Sequence, residues 1–156
     1  MTVLVLTLGV AIWLLKRRFR RISARIGRPI MLAMQDSESG LDQLLSQGSP
    51  YKIPPFPGIS WADDALMIWG TAVDTRPFAT IPRTTILSAQ IGTMRAVLPR
   101  PAIQLRVNGL ARPLCLVLYG PSPLDVLPMG KARLRKTMKQ MGLQNPSLDA
   151  PPTQGA

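Results

Sequence analysis

The stretch MTVLVLTLGVAIWLLKRRFRRISARIGR, residues 1–28, places an apolar run directly before a block of basic residues. Residues 1–15 carry no charged side chain, whereas residues 16–28 carry one lysine and six arginines. A secretory signal has the opposite order, because its basic residues precede the apolar run and a small-residue cleavage site follows it. The stretch therefore predicts a membrane anchor with a basic collar, which comprises Lys16, Arg17, Arg18, Arg20, Arg21, Arg25 and Arg28.

The apolar run is shorter than a typical membrane span. At about 1.5 Å per residue it reaches about 22 Å, whereas the hydrocarbon core of a bilayer is roughly 30 Å thick. Local thinning of the bilayer and snorkelling of the basic heads offset this difference. We expect the helix to continue to Arg28, because Leu15, Phe19, Ile22 and Ile26 recur on one face and Pro29 follows. The side chains expected inside the membrane are Val3, Leu4, Leu6, Leu8, Ile12, Trp13 and Leu15.

Three other interpretations of this segment are a buried helix of a soluble domain, an uncleaved export signal and a helix lying flat in the interface. A buried helix rarely adjoins a basic block, and an export signal has the opposite charge order. A flat helix needs a polar face, which residues 1–15 provide only at Thr2 and Thr7. Because basic residues stay on the cytoplasmic side, the collar predicts a single-pass protein of the plasma (inner) membrane, with its N-terminus outside and its domain in the cytoplasm.

The rest of the chain predicts one small domain. The protein has 156 residues and a formal net charge of +11, which leaves room for the anchor and a single modest core. Residues 29–58 are rich in proline and predict a linker, and residues 144–156 predict a disordered tail. Residues 59–143 alternate short apolar runs with turn residues, which indicates an antiparallel β domain. Its clearest feature is a hairpin in which Asn108-Gly109 joins strands 102–107 and 114–119.

A helix is predicted near the C-terminal end of the domain. Leu134, Met138 and Met141 form an apolar stripe, and Gly142 is placed to end the helix. The basic residues on another face are Lys131, Arg135 and Lys139. Such a face beside a bilayer attracts anionic headgroups at about 1 kcal/mol per side chain. The same charges can also serve only topology and solubility, so this face is a candidate for contact with either lipid or a partner.

Four segments of the domain, 65–70, 79–86, 104–107 and 131–143, resemble those of the bacterial pleckstrin-homology-like (PH-like) domains in their order and spacing. The shared pattern is an apolar strand that ends in glycine, then a strand that ends in Ile81-Pro82, and a closing amphipathic helix. This resemblance implies a mainly β fold, in which a bent antiparallel sheet of roughly seven strands is capped by a C-terminal α-helix and serves as a binding platform. With the anchor, the expected fold class is one transmembrane helix followed by a PH-like domain.

The sequence lacks the residues of common catalytic and metal sites. It has no histidine, no metal-like spacing of cysteine or carboxylates and no glycine-rich phosphate loop. Asp63-Asp64, the one adjacent acidic pair, is typical of a turn before a strand. We therefore expect a protein that is not an enzyme, with no catalytic residue, no metal and no cofactor.

The predicted function is that of a single-pass membrane protein whose cytoplasmic PH-like domain binds a membrane-protein partner, as an accessory subunit of a membrane complex. The alternative is a scaffold or sensor that binds anionic lipid through the collar and the basic face of the C-terminal helix. The few aromatic residues, 5% of the chain, disfavour nucleic acid as the partner.

Overall fold

The computed structural model describes residues 2–35, 40, 56–70, 76–94, 99–122 and 124–143, and it describes the side chains of the first helix from residue 9 onward. The chain begins with helix α1, and a 3-10 turn, Arg83–Thr85, connects two of the strands. The helices are α1 (Thr2–Ile26) and α2 (Lys131–Gln140). The strands are β1 (Met31–Gln35), β2 (Gly58–Trp61), β3 (Ala65–Trp69), β4 (Ala79–Pro82), β5 (Ile86–Met94), β6 (Arg100–Val107) and β7 (Leu114–Leu118).

The seven strands within these residues form one curled antiparallel sheet in the order β4-β3-β2-β1-β7-β6-β5. β1 joins the two halves, since Met31 pairs with Ile59 on one side and Ala33 pairs with Leu118 on the other. The predicted hairpin is confirmed, because β6 and β7 pair with Leu105 opposite Leu114 and Gly109 takes the positive φ of 83°.

Side chains alternate between the two faces of the sheet, so each face packs against one helix. On one face, the predicted stripe of Leu134, Met138 and Met141 is buried in the main core, which confirms its inward orientation. On the other face, Leu32, Trp69 and Tyr119 are buried in a second cluster with residues of α1. The fold is therefore three layers, with α1 and α2 on opposite sides of the sheet.

The predicted fold class, which begins with a transmembrane helix, is wrong. In the part of the chain that the structure describes, no helix is long and apolar enough to cross a membrane. The physical reason is that α1 continues through the basic collar and uses Ile12, Phe19 and Ile22 to pack on the sheet. The predicted single-pass topology in the inner membrane, with the N-terminus outside and the domain in the cytoplasm, is overturned with it.

The residues assigned to the span differ in their surroundings. Ile12 is buried against the sheet, Leu15 is half-buried beside it, and Trp13 is exposed. Val3, Leu4, Leu6 and Leu8 belong to α1, but their side chains lie outside the described part of the structure.

One strand lies within the segment 29–58, which the proline content predicts to be a linker, and a second strand begins at its last residue. Met31–Gln35 forms β1 at the centre of the sheet, and Gly58 begins β2. Most of this segment, residues 36–39 and 41–55, and the tail 144–156 lie outside the described residues. The first residues after α1 are thus a structural part of the folded domain.

Candidate functional site: the outward face of the first helix

The spacing of apolar residues sets how α1 sits on the sheet. Ile12, Phe19 and Ile22 recur at helical intervals and are all buried, with Phe19 only 1% exposed. Gly58 allows this close approach, because a Cβ atom on it would lie 2.5 Å from a ring carbon of Phe19. The opposite face of α1 is consequently directed away from the domain.

Lys16 joins α1 to a loop of the domain. Its side chain is 5% exposed, and its ammonium donates hydrogen bonds to the carbonyl oxygens of Gly120 (2.7 Å), Ser122 (2.8 Å) and Asp125 (2.5 Å). An ammonium has three donors, so all are satisfied. Burial lowers the pKa of Lys16, and this effect outweighs the opposing charge of Asp125. We call residues 119–122 and 124–129 the clamp loop, because they hold α1 at this lysine.

The clamp loop is itself held by several contacts. The carboxylate of Asp125 accepts hydrogen bonds from Arg133 (2.9 Å) and from the backbone N–H of Ser122 (3.3 Å). The hydrogen bond from Arg133 is the main reason that the pKa of Asp125 lies below its usual value. The loop ends are fixed by a bridge between Tyr119 and Pro128. Lys16 therefore binds an ordered loop that α2 also supports.

The outward side of α1 carries exposed basic side chains. Within the described residues, none of these side chains forms a salt bridge with an acidic residue. The arginine face, as we call it, comprises Arg17, Arg18, Arg20, Arg21 and Arg25. Four of its members, with Leu14 and Ile22, line a shallow cavity of about 460 Å³. Arg28 is exposed just after the helix. A concentrated positive charge is thus presented to solvent.

Large apolar side chains are exposed near this charge. On α1, Val10, Trp13 and Leu14 are 53%, 41% and 53% exposed, and the guanidinium of Arg17 lies 5.6 Å from the centre of the Trp13 ring. In the clamp loop, Leu124 is 84% exposed and Leu127 is 76% exposed. The surface around Lys16 therefore combines apolar and cationic groups.

The structure separates the predicted collar into two roles. Lys16 is a buried contact within the protein, whereas the collar arginines are exposed. Sequence reasoning missed the role of Lys16, although its spacing from Ile12 and Phe19 places it at the edge of the buried face. It also missed Asp125 and the exposed leucines of the clamp loop, for which the sequence gives no periodic signal.

The second predicted face, on α2, is also exposed. Lys131, Arg135 and Lys139 all lie outside the core, as do Arg133 and Lys136. No described hydrogen bond or salt bridge joins them to the arginine face. The structure thus presents two basic helix faces and does not bring them into one cluster.

No other site chemistry is evident among the residues with described positions. No group of three or more His, Cys, Asp or Glu side chains there could hold a metal ion.

No protein-family model, curated protein or solved structure matches this chain. Its function must therefore be argued from the surface that α1 and the clamp loop build.

Proposed function

We propose that this protein binds the surface of an anionic lipid bilayer peripherally, with α1 docked on the domain and the arginine face against the headgroups. The observation that carries this proposal is the exposure of five arginines along the solvent-facing side of α1. An acidic bilayer supplies the negative charge that these side chains lack within the described part of the protein.

The expected strength follows from the number of arginines. A basic side chain near an acidic membrane contributes about 1 kcal/mol, so the four that line the cavity contribute about 4 kcal/mol. This corresponds to roughly a thousandfold in binding. The guanidinium group also suits the task, because it binds phosphate oxygens in pairs.

Exposed apolar side chains favour a bilayer over a nucleic acid. Val10, Trp13 and Leu14 adjoin the arginines, and a tryptophan is well suited to the membrane interface. A phosphate backbone gives apolar side chains no comparable environment. Binding to an acidic protein, and the accessory-subunit function predicted from the sequence, are competing outcomes of the test below.

The PH-like resemblance is part of the same proposal. The strand order of the sheet and the helix packed on one face of it support a binding platform of this kind. In this protein we place the lipid contact on α1, because its arginines are exposed next to apolar side chains.

The proposal is tested by equilibrium binding of the full chain to vesicles of phosphatidylcholine with and without phosphatidylserine. We expect binding only to the acidic vesicles, and a steep loss from low to physiological ionic strength, where the Debye length falls to about 8 Å. The triple change Arg17→Gln, Arg21→Gln and Arg25→Gln should weaken binding by about 3 kcal/mol, or roughly a hundredfold.

A matched control removes three charges from the other helix. The triple change Lys131→Gln, Arg135→Gln and Lys139→Gln alters the net charge equally, and we expect it to change binding by less than about threefold. An equal loss in both triple variants would mean that net charge alone matters. The proposal would be contradicted if the wild-type chain did not bind acidic vesicles and instead bound an acidic protein.

A further inference from the structure

The buried lysine brings two exposed apolar elements into one surface. Because Lys16 binds the carbonyl oxygens of Ser122 and Asp125, residue Leu124 between them is held beside α1. Trp13 lies one helical turn before Lys16 and is exposed. Lys16 therefore fixes the loop backbone around Leu124 to α1 one helical turn from Trp13, although more than 100 residues separate the two elements in sequence.

The clamp loop is held so that its leucines remain exposed. Within the loop, the N–H of Leu124 donates to Ser122 Oγ (3.3 Å) and the N–H of Val126 donates to the carbonyl of Leu124 (2.9 Å). The salt bridge between Asp125 and Arg133 ties the same segment to α2. These contacts hold the loop with Leu124 and Leu127 exposed, which leaves both side chains available to an external partner.

We propose that Leu124 and Leu127 insert into the acidic bilayer beside Trp13, while the arginine face binds the headgroups. This inference rests on the proposed function and identifies the residues that enter the bilayer. We call Trp13, Leu124 and Leu127 the insertion surface. A charged rim around an apolar tip matches a bilayer, whose anionic headgroups surround an apolar interior.

A second copy of the chain is the competing occupant, and charge argues against it. Each chain carries a formal net charge of +11, and the arginine face adjoins the insertion surface. Pairing two such surfaces brings like charges together, whereas an acidic bilayer neutralises them. Of the two occupants, only the bilayer satisfies both the leucines and the arginines.

The test compares the double variant Leu124→Ser and Leu127→Ser with wild type in the vesicle assay, using the full chain and acidic vesicles. We expect the double variant to bind about 100-fold more weakly, because replacing each membrane-buried leucine lowers the binding constant about tenfold. The matched control is Leu87→Ser, since Leu87 is 59% exposed but lies on β5, outside the insertion surface. This control should bind within about twofold of wild type.

A second variant reports insertion directly and keeps the apolar character. In Leu127→Trp, the emission of the added tryptophan is obtained by subtracting the wild-type spectrum. This emission should shift to shorter wavelength on acidic vesicles and be quenched by brominated lipid. If wild type binds acidic vesicles but Leu127→Trp shows no such quenching and the double serine variant binds normally, the insertion is refuted and the proposed function stands.

Two further results overturn the inference. If wild type does not bind acidic vesicles at all, the proposed function and the insertion fail together. If gel filtration without lipid shows a dimer that the double serine variant dissociates, the leucines are covered by a second copy and not by a bilayer.

Discussion

Replacing Lys16 with methionine tests how α1 is held on the domain. Methionine has a similar length and keeps apolar contacts, but it donates no hydrogen bond. The three carbonyl oxygens of Gly120, Ser122 and Asp125 would lose the donor that the ammonium supplies. Gly120 is buried, so its carbonyl oxygen would stay without a donor. The carbonyl oxygens of Ser122 and Asp125 are only partly buried and can bind water instead.

The expected loss of stability follows from this difference. One buried carbonyl left unpaired costs about 1–3 kcal/mol. The variant also loses the hydrogen bonds to the carbonyl oxygens of Ser122 and Asp125, but it no longer buries a charged ammonium, and this gain offsets part of that loss. We expect Lys16→Met to lower the free energy of unfolding by about 2 kcal/mol in urea titration. Arg20→Met changes an exposed neighbour on α1 and should cost less than about 0.5 kcal/mol. Equal stability of Lys16→Met and wild type would refute the clamp.

The clamp also has a pH signature. Burial lowers the pKa of Lys16 below the 10.5 of the unfolded chain, so between these two values the unfolded state binds more protons. The penalty for burying the charge is therefore present at neutral pH and is relieved as the pH rises through the folded pKa toward 10.5. Wild type should gain stability relative to Lys16→Met over this window, and an opposite trend would contradict the assigned burial.

Three further variants probe the packing and the loop. Gly58→Ala places a Cβ against Phe19 and should destabilise the protein by about 1–3 kcal/mol in urea, with faster tryptic cleavage of α1. Leu105→Asp puts a charge at a side chain that is 1% exposed and should abolish cooperative unfolding by circular dichroism. Asp125→Asn removes the ion pair with Arg133. Because the pKa of Asp125 is lowered, the stabilisation by this carboxylate is fully present above about pH 3.8 and is lost as the pH falls through the lower pKa of the folded state. The thermal midpoint of the variant should therefore converge on that of wild type in acid.

Local signals in the sequence predict only part of this fold. The Asn108-Gly109 turn and the alternation in residues 102–107 identify a hairpin because both depend on neighbouring residues. β1 pairs with β7 across more than 80 residues, and its five-residue length gives no clear alternation. Long-range pairing of a short strand is decided by tertiary contacts that no local window contains.

The sequence predicts the wrong role for α1 for a related reason. The order of the apolar run and the basic block favours an anchor, and the recurrence of Phe19, Ile22 and Ile26 predicts only that its helix continues. The spacing that includes Phe19, Ile22 and Ile26 beyond Lys16 is the stronger signal, because it continues one apolar face through the basic segment. The loop carbonyls that receive Lys16 are backbone groups, and their position depends on the fold and not on side-chain identity.

Hydrogen–deuterium exchange of the full chain with and without acidic vesicles can locate the lipid contact along the sequence. We expect the vesicles to slow exchange at residues 10–28 and 124–127, while the amides of α2 and of the sheet are unchanged. This pattern would show α1 and the clamp loop meeting the bilayer together. Slower exchange confined to α2, or no change with acidic vesicles, would contradict the assignment of the lipid contact to the arginine face.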